Sequence, residues 1–384
     1  MQWSSVTASR KASWLLRRHR MNSLTKNRLF ALMKETAAAV DAFVLDELST
    51  ISRNSLPMQA VLHLPRIRAQ PLGDRARPKL RATFVRLIFQ MLSDNDWRTI
   101  VPLAAAGELL AVSSYVIDDL LDSQQMRNGE LATWVVHGQA EAIMAAQIQR
   151  EIAERILLKL DIPAARIIRL VAALNEIFFK GYLGQLLDSR MKMPSPMSYY
   201  INRCEYIGGH FHGGLARMAA TFAGASEEKV EQLGRLGFWQ GIALQIRNDL
   251  VDYLPASIIA EAGAHALERT PFEDFRNGKW SLPLLCAHEQ ADSQDRETLA
   301  RLMSDRPFSD EGMERLIHVL IKTGAYAATL QEITAYKKKA EQLLLGFSES
   351  PTREAMAALL ETVENARSYV DRLIAARPQE HLPP

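Results

Sequence analysis

The sequence predicts an all-α, single-domain helical bundle around a central cavity, on three observations. First, apolar residues recur at helical spacing from Ser23 onward. The clearest example is the set Leu80, Phe84, Leu87, Ile88 and Met91. Second, the alternating pattern of a strand is nearly absent. Third, prolines separate the helical runs, as expected at helix boundaries; they stand at positions 65, 71, 163, 194, 196, 255, 271, 307 and 351.

Composition limits the class of protein. The chain has 384 residues, of which 48% are hydrophobic and 23% are charged, as in an ordinary soluble globular protein. Its formal net charge of +2, without a basic stripe interleaved with aromatic residues, predicts no nucleic-acid partner. Cys204 and Cys286 are too few and too far apart for a disulfide framework, so we expect a cytoplasmic protein. No uninterrupted run of about 18 apolar residues occurs, so we expect no membrane-spanning helix.

The ends of the chain differ in composition from its body. Residues 1–34 contain eight Lys or Arg and no Asp or Glu. We expect residues 1–22 to be a disordered, dispensable basic extension. The alternatives are a targeting or amphipathic segment that makes peripheral membrane contact, or translated sequence upstream of a start at Met21. Residues 23–376 then form the all-α domain, and residues 377–384 form a Pro-rich tail.

An acidic motif lies within an apolar helical run. Asp118, Asp119 and Asp122 stand at i, i+1 and i+4, so Asp118 and Asp122 share one helix face. Unpaired carboxylates are expensive to bury, which favours a bound cation between them. Hard oxygen ligands at this spacing suit Mg²⁺, which commonly shares its coordination shell with a substrate phosphate. The alternative is a solvated helix face.

The same spacing returns later in the chain. After Gln245, the residues Asn248, Asp249 and Asp252 repeat the pattern, with Asn in the first place. Two acidic helix faces directed at one cavity would bind several Mg²⁺ ions against one diphosphate and neutralise the leaving group as its bond to carbon breaks. The predicted metal-binding residues are Asp118, Asp119, Asp122, Asn248, Asp249 and Asp252.

These motifs and three others carry a resemblance to a known family. From about Gly73 to Arg367, the chain resembles the trans-isoprenyl diphosphate synthases, which form the polyprenyl synthetase family. The matching segments occur in the family's order: Gly73-Asp74-Arg75-Ala76-Arg77-Pro78, Asp118-Asp119-Leu120-Leu121-Asp122 followed by Arg127-Asn128-Gly129, Gly184-Gln185-Leu186-Leu187-Asp188, the second acidic motif, and Gly278-Lys279-Trp280-Ser281-Leu282-Pro283.

The resemblance implies an isoprenoid synthase fold, a homodimer and a set of site residues. Catalytic roles fall to Asp118, Asp122, Gln185 and Lys279. Substrate contacts fall to Arg77, Arg127, Asp188, Phe211 and Gln245, with Ser113 and Ser114 at the floor of the pocket. Small residues at that floor favour a C15 or C20 allylic substrate. Without the resemblance, Gln185 and Asp188 would be surface residues near a helix end, and Lys279 an exposed loop lysine.

The chain departs from the family where the second substrate, isopentenyl diphosphate, would bind. Members of the family use a Lys, two Arg, and a His or Gln there. In this chain those positions are Asp74, Arg77, Ala111 and Asn128, so three of the four donors are lost. A carboxylate facing a diphosphate is repulsive, by ~4 kcal/mol for unit charges ~4 Å apart at an effective dielectric of about 20. Arg127, which matches the Arg that contacts the allylic diphosphate, is retained.

A second departure concerns the family's Lys-Thr pair, which an ungapped placement puts at Phe211-His212. An aromatic ring in place of an ammonium favours guiding a carbocation by cation–π attraction. His210 or His212 would then remove the terminating proton. The alternative is that the surrounding glycines mark a kinked, closely packed helix and that both histidines are merely hydrogen-bonded.

We therefore expect a Mg²⁺-dependent enzyme that ionises an allylic prenyl diphosphate. Because the acceptor position has lost its donors, we expect the cation to cyclise or to be transferred to an acceptor other than isopentenyl diphosphate. Two alternatives stay open: an ordinary chain-elongating synthase, and a non-catalytic regulatory subunit of such a synthase.

Overall fold

A computed structural model of the chain describes residues 23–53, 79–127, 130–191, 195–261, 271–304 and 308–377. Several sequence predictions lie outside these ranges. They are the N-terminal extension 1–22, the motif at 73–78 with Asp74 and Arg77, the residue Asn128, and the tail after residue 377.

Within the described residues the protein is helical, which confirms the predicted fold class. The helices are α1 (Ser23–Arg53), α2 (Leu80–Leu92), α3 (Val101–Leu121), α4 (Thr133–His137), α5 (Gln139–Leu158), α6 (Ala164–Ser189), α7 (Met197–Cys204), α8 (His210–Phe222), α9 (Glu227–Asp252), α10 (Ala256–Glu261), α11 (Glu273–Arg276), α12 (Leu282–Gln290), α13 (Ser293–Ser304), α14 (Asp310–Lys322), α15 (Ala325–Leu344), α16 (Pro351–Glu361) and α17 (Asn365–Ala375).

Short irregular turns and one strand pair connect these helices. Single 3₁₀ turns occupy Trp97–Ile100 and Thr362–Glu364, and a π-helical turn, Glu205–Gly209, joins α7 to α8. Strands β1 (Met126–Arg127) and β2 (Glu130–Leu131) pair antiparallel, with Met126 opposite Leu131. The strand pair directly follows the first acidic motif and thereby turns Arg127 back toward it.

Two large apolar clusters form the interior. The first lies among α1, α2, α3, α8 and α16, and the second lies among the C-terminal half of α9 and helices α12, α14, α15 and α17. Helix α9 contributes to both clusters, with Leu233 in the first and Ile246 in the second. It is therefore the element that joins the two halves of the bundle and positions the second acidic motif.

The segment that contains the first acidic motif is unusually apolar. By length and composition alone, one helical segment of the described chain, Trp97–Leu121, would suffice to cross a membrane. However, 72% of its most apolar window is buried inside the protein. Burial of this kind is typical of a core helix.

The contact between α9 and the π-helical turn before α8 depends on glycine. A Cβ atom added to Gly241 would lie less than 3.0 Å from the carbonyl oxygen of Gly208, and a Cβ on Gly208 would meet Gly241 in the same way. The two backbones therefore touch at this point. The close packing that the alternative interpretation of this glycine-rich segment expected is observed here, with the π-helical turn as its local irregularity.

We predict that Gly241→Ala destabilises the protein by about 1 to 3 kcal/mol, because the added methyl group must push two backbones apart. Gly181→Ala is the matched control: this glycine lies within α6, and a Cβ there meets nothing within 4 Å. It should stabilise the protein by roughly 0.5–1 kcal/mol through helix propensity. Urea unfolding of both variants measures the difference, and equal effects would contradict the predicted backbone contact.

Candidate active site

Two of the three carboxylates in the first acidic motif are partly exposed. The side chains of Asp118 and Asp122 are 25% and 21% exposed, whereas that of Asp119 is fully buried. Asp118 lies in the last turn of α3 and Asp122 caps its end, with Ser123 in the left-handed region directly after it. The chain therefore reverses at the motif and returns through the strand pair.

Arg127 pairs with the part of the motif that faces inward. Its Nε donates to Asp119 Oδ1 at 2.6 Å, its second terminal nitrogen also contacts that oxygen, and the same nitrogen lies 3.2 Å from Asp118 Oδ2. Gln124 accepts a further hydrogen bond from Arg127 at 2.9 Å. Asp119 is thus a buried anchor for the arginine, while Asp118 keeps an exposed edge.

Lys279 joins the first acidic motif to α6. Its Nζ lies 2.7 Å from Asp122 and forms a second ion pair with Asp188, and all but 4% of its side chain is buried. Burial alone would lower the pKa of Lys279, but Asp188, Asp274 and Asp122 together raise it above its ordinary value. The lysine is therefore charged, as the sequence motif requires.

Arg203 on α7 completes the connection to the second acidic motif. Its Nε donates to Asp188 Oδ1, and its Nη1 donates to Asp249 Oδ2 at 2.7 Å. Tyr200, one turn earlier on α7, donates to the same Asp249 oxygen at 2.7 Å. Asp188 and Asp249 are each 4% exposed, so Arg203 lies between two buried carboxylates.

Together these residues form a chain of alternating charges in the order Asp122, Lys279, Asp188, Arg203, Asp249, which we call the charge chain. Burial alone would raise the pKa of Asp188, but Arg203 and Lys279 lower it to about 2. The pKa of Asp122 rises to about 6 because it is buried and lies near Asp118. Asp122, at the exposed end of the charge chain, is therefore protonated at a higher pH than Asp188.

Two glutamines orient the aspartates. Gln185 Nε2 donates to Asp118 Oδ1 at 2.6 Å, which places the predicted catalytic glutamine directly beside the first motif. Gln245 Nε2 donates to Asp249 Oδ1 at 2.8 Å. Gln185 lies one turn before Asp188 on α6, so this helix contributes to both the exposed face and the charge chain.

The outer residues of the second motif lie in different surroundings. Asn248 is exposed, and its Oδ1 accepts from Arg247 at 3.1 Å. The two carboxylate oxygens of Asp252 accept from the backbone N–H groups of Glu273 and Asp274 at 3.2 and 3.0 Å. Asp252 thereby caps α11, in the segment that leads into Lys279.

Some predicted substrate-binding residues contact neighbouring helices. Ser113 is buried and donates to the Ala146 carbonyl on α5 at 2.8 Å, whereas Ser114 donates to Leu110 within its own helix at 3.1 Å. Phe211 is half-buried and packs against the first apolar cluster. Whether these residues contact substrate stays a prediction.

The two histidines fit the packing interpretation. The Nδ1 of His212 lies 3.1 Å from the Gly208 carbonyl oxygen, so this nitrogen must donate. Burial and Arg81 lower the pKa of His212 to about 4. His210 lies between the rings of Tyr206 and Phe238, with centroids 5.4 and 5.3 Å away, and burial lowers its pKa as well.

Sequence reasoning missed Arg203 and Tyr200. The family resemblance places the Lys-Thr pair of this region at Phe211-His212, whereas the structure has a buried cation at Arg203. One signal was present: Tyr200 and Arg203 stand at i and i+3 in the helix that begins after Pro196, and so share a face. Nothing in that spacing identifies Asp188 and Asp249 as the carboxylates that these two side chains contact.

The donors are suited to Mg²⁺ shared with a phosphate. No three His, Cys, Asp or Glu side chains of the described residues converge into a closed metal site. Asp118 and Asp122 nevertheless place two partly exposed carboxylates on one helix face, and carboxylate oxygens are the ligands that Mg²⁺ prefers. An open, oxygen-only arrangement of this kind fits an ion that completes its shell with water and substrate oxygens.

An all-α bundle with two aspartate-rich helix ends facing buried basic side chains defines the isoprenoid synthase class of enzyme. The comparisons with known proteins agree: residues 69–320 match the polyprenyl synthetase family, and the chain belongs to that family. It is 27% identical to a nonaprenyl diphosphate synthase of Mycobacterium tuberculosis, over 75% of this chain and 82% of the relative. It is also 27% identical to a geranylgeranyl diphosphate synthase of Methanosarcina mazei, over 67% and 75%.

Solved structures share the fold. The geranylgeranyl pyrophosphate synthetase of Pyrococcus horikoshii superposes with a TM-score of 0.74 at 22% identity, covering 88% of this chain and 98% of that one. A polyprenyl synthase of Caulobacter crescentus, crystallised with calcium and isoprenyl diphosphate, gives a TM-score of 0.73 at 23% identity, covering 88% and 97%. The helical bundle is therefore the family's architecture.

We predict that Arg203→Leu destabilises the protein by about 3 to 5 kcal/mol, since it leaves the buried Asp249 without its cation and Asp188 with only Lys279. The matched control is Arg315→Leu, which removes an exposed pair with Glu311 on α14 and should cost less than about 1 kcal/mol. Urea unfolding of both variants provides the measurement. A loss at Arg203 no larger than at Arg315 would show that the charge chain contributes nothing to stability.

Proposed function

We propose that the protein is a Mg²⁺-dependent prenyltransferase that ionises an allylic prenyl diphosphate and extends it with isopentenyl units. The observation that carries the proposal is the placement of Arg127 and Lys279 directly beside the face formed by Asp118 and Asp122. Two cations and two carboxylates thereby lie side by side, as a site for a metal-bound diphosphate requires. The relatives support elongation, because their names are those of synthases that make longer prenyl diphosphates.

Different residues of the site would have different roles in ionisation of the substrate. Arg127 and Lys279 would bind the diphosphate oxygens, and Asp118 and Asp122 would bind the metal. Bound Mg²⁺ supplies positive charge that stabilises the departing diphosphate. Gln185, through its hydrogen bond to Asp118, orients that carboxylate. We further propose a C15 or C20 allylic substrate.

A further cation, Arg81, lies close to Arg127, and a second positive group near the site is compatible with elongation. Arg81 donates a hydrogen bond to the Tyr115 hydroxyl and forms a 3.5 Å ion pair with Glu108. The guanidinium carbons of Arg81 and Arg127 lie 5.2 and 5.0 Å from the centroid of the Tyr115 ring. A second positive group is therefore separated from the donor-side arginine by a single ring.

A second candidate function is transfer to a different acceptor, or cyclisation. The observation in its favour is Ala111, which is buried on α3 and offers no donor where the family has a His or Gln. The lost donors at Asp74 and Asn128 point the same way, although both residues lie outside the described ranges. The names of the relatives favour elongation over this candidate.

The deciding experiment supplies geranyl, farnesyl or geranylgeranyl diphosphate with Mg²⁺ and radiolabelled isopentenyl diphosphate. We expect labelled, longer prenyl chains. Asp118→Ala should lower turnover by at least about a hundredfold, the effect of removing a preorganised charge-stabilising group. Diphosphate release without label in the organic products would favour the second candidate. No release from folded protein would favour a non-catalytic regulatory subunit.

We also propose a homodimer. An apolar stripe on the surface of α6 consists of Phe179, Tyr182 and Leu186, spaced at i, i+3 and i+7, and Phe179 and Leu186 are more than half exposed. Ile143 and Met144 on the neighbouring helix α5 are exposed as well. Exposed apolar surface of this kind indicates a protein–protein interface, and a second copy of the chain is the partner that the family resemblance implies.

We predict that Phe179→Asp shifts the protein toward monomer, because a buried carboxylate would oppose association across the stripe. Phe30→Asp is the control, since Phe30 is exposed to a similar degree (58% against 56%) but lies on α1, away from the stripe. Light scattering coupled to size-exclusion chromatography reports the mass of each. A parent protein that is already monomeric would contradict the proposed assembly.

A further inference from the structure

A cleft between α2, α8, α9 and α16 lies apart from the carboxylates and cations of the candidate active site. It is partly open to solvent and has a volume of about 260 Å³. Most of its wall is apolar and consists of Leu80, Phe84, Leu244 and Leu359. Three polar side chains reach this apolar surface from three different helices: Arg81, His212 and Gln240.

Gln240 is a buried amide without a hydrogen-bond partner. It is only 1% exposed, and neither its Oε1 nor its Nε2 has a partner within the described part of the chain. The large majority of buried side-chain polar atoms do have a partner, because an unmet amide group costs free energy. A glutamine in this position therefore indicates a group in the cleft that completes its hydrogen bonds.

The neighbours of Gln240 add complementary groups. The Nδ1 of His212 donates to the Gly208 carbonyl oxygen, so Nε2 of the neutral ring can only accept a hydrogen bond. The Nε of Arg81 lacks an acceptor among the described residues. The cleft thus offers donors on Arg81 and Gln240 and acceptors on Gln240 and His212.

The cleft has no charge left over for an anion. Arg81 forms a 3.5 Å ion pair with Glu108, which offsets its positive charge. Burial and Arg81 lower the pKa of His212 to about 4, so its ring is neutral at ordinary pH. A ligand with mixed hydrogen-bonding capacity and no charge fits these groups better than a diphosphate does.

The polar groups are held in place by the backbone. A Cβ atom added to Gly237, about one turn before Gln240 on α9, would lie less than 3.0 Å from the carbonyl oxygen of His212. The backbones of α8 and α9 therefore touch beside the cleft. His212 and Gln240 keep their relative positions without a ligand, and a preformed site of this kind loses little entropy on binding.

We propose that this cleft is a binding site for a small neutral alcohol. The hydroxyl group donates to Gln240 Oε1 or His212 Nε2 and accepts from Gln240 Nε2 or Arg81 Nε, while the apolar body packs against the leucines and Phe84. A single water occupies only about 30 Å³ and would leave most of the apolar wall uncovered. The inference goes beyond the proposed function and does not depend on it.

The test is a ligand-observed NMR titration of the full-length protein with isoamyl alcohol, without Mg²⁺, diphosphate or turnover. We expect saturable binding with a Kd of about 1 mM, an affinity that a molecule of this size can reach. Gln240→Leu should weaken binding by about tenfold, because the hydroxyl group loses its hydrogen bonds to the amide. Isoamyl methyl ether, which cannot donate, should bind the parent protein about tenfold more weakly than the alcohol.

Gln149→Leu is the matched control. Gln149 on α5 is also 1% exposed and has an unpartnered Oε1 within the described residues, but it does not line the cleft. This variant should bind the alcohol as the parent does. Circular dichroism and Tm verify folding of each variant, and Gln240→Met, with an unbranched side chain, replaces Gln240→Leu if the latter does not fold.

Three results would overturn the proposal. The first is a parent protein without saturable alcohol binding, which would mean that the cleft holds only bound water. The second is equal weakening by the substitutions at Gln240 and Gln149, which would place the alcohol elsewhere. The third is a methyl ether that binds as tightly as the alcohol, which would exclude a role for the hydroxyl donor. Absence of elongation in a protein that binds the alcohol would reject only the proposed function.

Discussion

The charge chain is the interaction on which the site depends. Each carboxylate in it would be costly to bury alone, and each is accompanied by a cation from a different element of the fold. Lys279 comes from the segment after α11, Arg203 from α7, and the aspartates from the end of α3, from α6 and from α9. Five parts of the bundle must therefore take up their positions together before all of these charges are satisfied.

Helical periodicity made the fold and the acidic motifs predictable. Spacing alone places Asp118 and Asp122 on one face, and the structure agrees. Spacing does not identify partners, however: Asp119 looks like an equal member of the motif in sequence, yet it points inward to Arg127. Neighbouring residues on a helix diverge in direction, so adjacent acids serve different purposes.

The parts of the site that could not be predicted are those that depend on tertiary contacts. Arg203 is a single arginine in a short helix, and its role follows from the approach of α6 and α9, which no local pattern reveals. Asp252 is similar: the spacing of the motif does not reveal that its carboxylate oxygens accept backbone N–H groups at the start of α11. The sequence also favoured a reaction other than elongation, because donors are lost at single positions, whereas the names of the relatives favour elongation.

The glycine contact between Gly208 and Gly241 acts as a rotational stop for α9. Turning α9 about its axis by one residue, roughly 100°, would bring the side chain of Gln240 or Ile242 against the opposite backbone, where even a methyl group does not fit. Asp249 lies eight residues further along, about 12 Å at the helical rise. The contact thus fixes the direction in which Asp249 points, two helical turns further along α9.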